Sequence, residues 1–359
     1  MAASERMPAR LSWPALALVV FWAVVLGAVS VAVIVLALLG APSAPAPVAG
    51  GAAVPASAGA APAGDNPAGA TRARENGPGV AIAPPDAALT EPAPDYPGAV
   101  LPRIGPGGVA PRTLYAGGSD PKDRRPRLGL VLGGIGLSLA ESRAAIDDLP
   151  AAVTLAFSPY AADPAPLLAA ARARGHEILL SLPLEPQNYP LNDAGPETLL
   201  TGAPAAENAR RLEWVLSRIT GYAGTIGALD GLHGERFAAQ TVNFTLLQRD
   251  LAQRGLFYID PRPGAPPPSE IPGRAIDLVV DAPPSEAAIS AALDQLAERA
   301  LAHGSALGLA DLPRPVTVAR IAAWAGTLAS HGLALVPASA LIVMPPATTG
   351  KSEMVTHGE

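Results

Sequence analysis

The side chains best suited to chemistry gather in one run, Asp230-Gly231-Leu232-His233-Gly234-Glu235-Arg236-Phe237. An imidazole flanked by carboxylates can move protons, or it can add nitrogen to a divalent-metal site in which Asp and Glu supply oxygen. Asp230 and Glu235 are the nearest oxygen donors in sequence. A lone imidazole still falls short of the three protein ligands typical of a catalytic zinc ion.

Two other places invite the same question. Glu185 follows a strand-like run, and Asp260-Pro261-Arg262 closes another. The C-terminal ends of strands are where barrel enzymes assemble their sites. Each has a plain structural reading as well: a solvated turn carboxylate for Glu185, an ion pair at a barrel rim for Asp260 and Arg262. Arg236 suits either a clamp on a sugar carboxylate or a loop cap. The remaining histidines read as structural: His176 precedes an apolar strand, His303 and His331 stand before glycines that end helices, and His357 lies in a polar tail.

Composition narrows the function classes. The chain of 359 residues has no cysteine, so disulfides and thiolate zinc sites are excluded. A formal charge of -6 argues against nucleic acid, whose binding needs a basic footprint. From Trp13 to Leu39 there is no charged residue, a run longer than the roughly 20 apolar residues that span a membrane. Arg6 and Arg10 precede it, so the positive-inside rule keeps residues 1–12 in the cytoplasm. The expectation is a single-pass inner-membrane anchor over 13–39 with everything after it in the periplasm.

Residues 41–125 are dominated by Ala, Pro and Gly without apolar period, which predicts a disordered spacer. Residues 127–345 change texture, and 346–359 read as a flexible tail. Strands are predicted at Leu128–Leu132, Ala152–Phe157, Glu177–Leu182, Thr225–Leu229, Leu256–Ile259, Ala275–Val280, Ala306–Leu309 and Leu333–Val336. Helices are predicted at Pro164–Arg174, Ala205–Ile219, Ala238–Arg254, Ser285–His303 and Val316–Ser330. Apolar strands alternating with helices indicate an α/β fold with a mainly parallel sheet. Ser138-Leu-Ala-Glu141 is a capping box, and four helices close on a cation followed by glycine, at Gly175, Gly255, Gly304 and Gly332.

Taken in order, seven segments resemble the divergent polysaccharide deacetylase family. They include Leu128-Gly-Leu-Val-Leu-Gly133-Gly134-Ile-Gly136, Val153-Thr-Leu-Ala-Phe-Ser-Pro-Tyr160, Ser181-Leu-Pro-Leu-Glu185-Pro186, Gly234-Glu-Arg-Phe237 and Tyr258-Ile-Asp-Pro-Arg262. The resemblance implies a distorted (β/α) barrel related to carbohydrate deacetylases. It also implies a divalent metal held by one aspartate and two histidines, which polarises the acetamide and activates water. The family's aspartate pair falls at Gly133 and Gly134, one histidine at Ser181 and the other at Leu232, with His233 one position late. All four ligand positions are thus degenerate, and no metal or other cofactor is expected unless Asp230, His233 and Glu235 rebuild a zinc site. On this alignment, returning the four positions to Asp, Asp, His and His would restore zinc.

The expected function is a membrane-anchored, non-catalytic domain that binds a cell-envelope glycan or a periplasmic protein. An active metal-dependent deacetylase with a rebuilt site and a purely structural envelope module are the alternatives.

Overall fold

The computed structural model describes residues 77–345. The anchor and cytoplasmic segment expected over 1–39, the spacer up to residue 76 and the tail from 346 lie outside the described residues. Among the described residues, no helix is long and apolar enough to cross a membrane.

The strands after residue 126 are short and apolar, and they alternate with helices. β3 (Arg127–Ile135), β4 (Thr154–Phe157), β5 (Ile178–Ser181), β6 (Gly224–Ile226), β7 (Phe257–Asp260), β8 (Gly273–Ala275), β9 (Leu278–Val279), β10 (Ser305–Ala310) and β11 (Ala334–Leu335) make one sheet. It runs β8-β7-β6-β5-β4-β3-β10-β9, with β11 added on β3, and every pairing in it is parallel. The expected barrel of parallel strands is present as a curled sheet whose two edges belong to one stretch of chain. Ala275–Val280, read from sequence as a single strand, is split. Ile276 N–H donates to Asp260 O (2.9 Å) on the β7 side, and Asp277 N–H donates to Leu307 O (2.7 Å) on the β10 side. The chain changes partners within one residue, because no single straight strand reaches both edges.

Strand alternation sorts the core into two layers. Val131, Ala156, Leu179, Ile226, Ile259, Leu307 and Leu309 fill the inside of the curl. Leu130, Leu155, Leu180, Tyr258 and Ala306 face the covering helices. Those helices are α2 (Leu139–Asp148), α3 (Ala165–Ala173), α4 (Ala205–Leu216), α6 (Thr241–Gln253), α7 (Glu286–His303) and α8 (Pro315–Ala325), with a four-residue α1 (Pro111–Leu114) and α5 (Glu235–Ala238). Ser138 caps α2 by accepting from Glu141 N–H, and Gly175, Gly255 and Gly304 follow helix ends with positive φ; Gly332 also has positive φ, but α8 already stops at Ala325, short of the expected Ser330, and turns fill 326–332. Helix Ala238–Arg254 is interrupted: Gln240 is extended (φ -87, ψ 91), so α5 stops before α6 begins.

The spacer expectation fails between residues 77 and 125. This stretch carries the antiparallel pair β1 (Thr90–Pro92) and β2 (Val100–Pro102), and it packs across the domain. Ile82, Leu89, Leu101 and Tyr115 are all buried. Ile82 N–H donates to Arg172 O (2.9 Å) and Arg112 N–H to Gly255 O (3.1 Å). Single apolar residues at irregular spacing anchor it, so no period marks it in the sequence.

It is also tethered by a buried carboxylate. Glu177, fully buried, accepts from Gly117 N–H (2.9 Å), Thr154 Oγ1–H (3.2 Å) and Ser339 N–H (3.0 Å). Burial pushes its carboxyl pKa up, against the opposing pull of those donors. His176 beside it is also buried, its ring between the carbonyls of Val153 (2.9 Å) and Ile146 (3.2 Å), which fits its structural reading.

Two outcomes follow. Glu177→Ala leaves one buried and two partly buried donors without an acceptor, and the loss in a denaturant melt should be about 2–4 kcal/mol. A chain beginning at Arg127 exposes the surfaces that Leu89, Leu101 and Tyr115 cover. Its melting temperature should fall by roughly 10 °C or more relative to one beginning at Gly77; equal melts would show that the segment's packing contributes nothing.

Candidate functional site

Every degenerate position lies at the C-terminal end of a strand. Gly133 and Gly134 are among the last residues of β3, Ser181 is the last of β5, and Leu232 lies in the turn after β6. That turn is a two-residue hairpin: Leu229 and Leu232 exchange both backbone hydrogen bonds (2.9 Å each) around Asp230 and Gly231. Both central residues have positive φ, 52° and 76°, the requirement of a type I′ turn, which Asp-Gly meets better than most pairs. The hairpin carries His233 to Asp311, which follows β10, with Nε2 to Oδ1 at 2.8 Å.

Asp311 is held in turn. Its N–H donates to Asp281 Oδ1 (2.8 Å), while Asp281 Oδ2 accepts from Leu312 N–H (3.3 Å) and Arg314 Nη1 (3.4 Å). Desolvation raises the Asp281 pKa, with these donors opposing it. Burial lowers the proton affinity of His233, but the Asp311 carboxylate, helped by Glu235 and Asp281, outweighs it and leaves the imidazole pKa raised.

Asp311–Pro313 also fills the space that the missing side chains would need. A Cβ on Gly133 would stand 2.8 Å from Asp311 O, and one on Gly134, at φ +69, would stand 2.5 Å from Leu312 Cδ2. The aspartates are therefore absent together with the room for them. This revises the expectation that restoring four side chains restores a zinc site.

The other candidates are neutralised in pairs. Glu185, 3% exposed, accepts from Thr201 N–H and meets Arg236 Nε at 3.0 Å. Arg262 grips Asp260 through Nε (2.9 Å) and Nη2 (2.6 Å) and lies over the Phe244 ring at 5.5 Å. Glu235 accepts from Gln187 N–H (3.2 Å), and Asp230 is exposed at the hairpin tip. The structure thus joins His233 to Asp311 and Glu185 to Arg236, and it keeps Asp260 with Arg262. It does not bring Asp230, His233 and Glu235 into a metal cage. Among the described residues, no group of three His, Asp or Glu side chains is placed to hold a metal ion.

The family's metal therefore finds no fit here. Glycine, glycine and leucine offer no side-chain donor, Ser181 offers only a neutral hydroxyl, and the single imidazole is spent on Asp311. Asp311 and Asp281 were missed from sequence. Both stand directly after apolar strand runs, as Asp260 stands at the end of one, and that shared placement was the available signal.

With this geometry in hand, the comparisons place the chain. The model of the divergent polysaccharide deacetylase family matches residues 130–342, and the chain belongs to that family. It is similar to an uncharacterized protein of Agrobacterium tumefaciens of known structure, at 35% identity and TM-score 0.62, covering 68% of this chain and 99% of that one. A likeness to the catalytic domain of the peptidoglycan N-acetylglucosamine deacetylase of Eubacterium rectale is fainter, at 15% identity and TM-score 0.43, covering 63% and 93%. A comparison with curated proteins finds no match.

If Asp311–Pro313 occupies the former ligand space, Gly134→Asp should destabilise the domain by about 1–3 kcal/mol through overpacking and the left-handed backbone. Equilibrium unfolding checks this. A variant as stable as the parent would show that the loop yields freely.

Proposed function

We propose that this chain is a non-catalytic member of its family, a periplasmic domain that binds a cell-envelope glycan or a protein partner from a membrane anchor formed by residues 13–39. The observation that carries this reading is the state of the four ligand positions. Gly133, Gly134, Ser181 and Leu232 supply no charged donor, and Asp311–Pro313 packs where two carboxylates would project. A bound divalent ion would supply Lewis-acid polarisation and an activated water. The buried rim carboxylates are engaged already, since each of Glu185, Asp260, Asp281 and Asp311 serves a cation.

The rim still suits recognition. Arginines 236, 262 and 314 are partly exposed, each fixed from below by a buried carboxylate. Fixed guanidinium groups bind polar ligands with less ordering cost than free ones. The anchor and the periplasmic location rest on the uncharged run from Trp13 to Leu39 and on Arg6 and Arg10 before it.

The test has three readings on the purified domain. Zinc at micromolar concentration should leave the melting temperature unchanged, since a ligand stabilises only what it binds. Acetate release from an N-acetylated chito-oligosaccharide should stay at background. One metal per chain, lost on His233→Ala, would overturn the proposal in favour of a rebuilt active site, and failure to bind any envelope glycan or protein would leave the structural module.

A further inference from the structure

Strands β6 and β10 are not neighbours. The order of the sheet places β7 and the split β8–β9 stretch between them on one side, and β5, β4 and β3 on the other. A contact between the turns that follow β6 and β10 therefore crosses the mouth of the curl. The His233–Asp311 hydrogen bond is such a contact, between side chains only 16% and 11% exposed. Among the described residues, the hairpin 229–233 makes no other hydrogen bond to the rest of the rim.

Ser181 ends β5, the strand beside β6. It pairs with Ile226, three residues before the hairpin begins, and alternation along β5 turns it inward with Leu179. Ser181 is fully buried, and its hydroxyl has no hydrogen-bond partner. A buried hydroxyl without a partner favours any state in which water or a ligand reaches it. Thr225 Oγ1 on β6 is likewise unpartnered but is turned to the helix side, so of the two it is Ser181 that gains when solvent or a ligand enters from the mouth.

We propose that residues 229–233 form a lid across the barrel mouth, held shut by His233 on Asp311, whose opening admits solvent or ligand to Ser181. The inference does not depend on what the rim binds. The charged groups facing His233 are Asp311 on the β10 side, Glu235 on α5 and Asp281 after β9, the last shared with Arg314. Together they favour the imidazolium, so the latch is fully closed below the ordinary histidine pKa of about 6.5. It weakens as pH rises through the folded value, when the ion pair becomes a hydrogen bond from a neutral imidazole to the carboxylate.

The absence of cysteine from the chain makes the lid directly measurable. Ser181→Cys gives a full-length protein with one thiol, whose alkylation by an uncharged reagent reports opening. Adding Asp311→Asn should speed labelling on the order of tenfold at about pH 6, the loss expected of a charge-assisted hydrogen bond. Because thiol reactivity itself changes with pH, the quantity to follow is the ratio of the two rates at each pH. That ratio should fall as pH rises through the titration of His233. Thr225→Cys, equally buried on β6 but turned towards the helices, serves as the reference, and Asp311→Asn should leave its labelling unchanged. A ratio of one at every pH would overturn the lid, as would equal acceleration at Thr225→Cys, which would mean global loosening.

Discussion

The buried carboxylate of Glu177 is the constraint on which the assembly of this domain depends. It sits at the start of β5 and reaches, through Thr154, the start of β4; through Gly117, the segment before the barrel; and through Ser339, the segment after it. Thr154 extends the network by accepting from Ala338 N–H at 2.9 Å. Four stretches of chain far apart in sequence meet there, at the ends of the strands opposite the rim. A charge placed so deeply is tolerated only when its lone pairs are matched. Satisfying Glu177 therefore requires the flanking segments in place, and they cannot leave without stranding it. The chemistry-bearing end is freed from structural duty by this arrangement, which matches the division of labour in barrels between a stabilising base and a variable rim.

At the rim the same electrostatic rule has a different outcome. Carboxylates follow β5, β7, β9 and β10, the placement expected when a cation is to be held between them. Here each has acquired its own counter-charge: Arg236 for Glu185, Arg262 for Asp260, Arg314 for Asp281 and His233 for Asp311. A carboxylate 1–3% exposed needs such a partner whether or not a metal is near. Once the partners are side chains rather than an ion, the site is neutral and self-contained. Residue types alone cannot distinguish the two situations, since Asp260-Pro-Arg262 reads identically in both.

What was legible in the sequence follows from which forces are local. The eight expected strands recur at shifted boundaries, one of them divided into β8 and β9, and three of the four glycine-ended helices recur as well, because alternation and capping are written within a few residues. The split of β8 from β9 and the break at Gln240 were not legible, since distant partners on β7 and β10, or the packing of Phe237, set them. Residues 77–125 were misread for the same reason. Their Pro- and Gly-rich composition resembles a spacer, while Leu89, Leu101 and Tyr115 find their partners only in the folded barrel. The Asp230-Gly231 hairpin was legible in principle, as Asp-Gly between two leucines is a strong hairpin signal. Its place in a run that resembles a ligand loop masks it. Asp311 escaped because nothing around it resembles a motif; its role depends on crossing the mouth to His233.

On the proposed reading, losing the family's metal site takes more than deleting ligands. Two adjacent carboxylates on β3 would repel each other and the nearby Asp311 and Asp281 unless an ion lay among them. Replacing them by glycine removes that repulsion but leaves a void, and voids at a strand end are costly because the lining atoms lose their contacts. The close approach of Asp311 O to Gly133 and of Leu312 to Gly134 resolves both difficulties at once. Backbone and an aliphatic side chain fill the gap, and glycine is what permits them to come so near. The positive φ of Gly134 then makes the exchange hard to reverse, since an aspartate there would meet both a strained backbone and an occupied volume. The glycines at the degenerate positions are therefore structural requirements of the present rim rather than scars of the absent one.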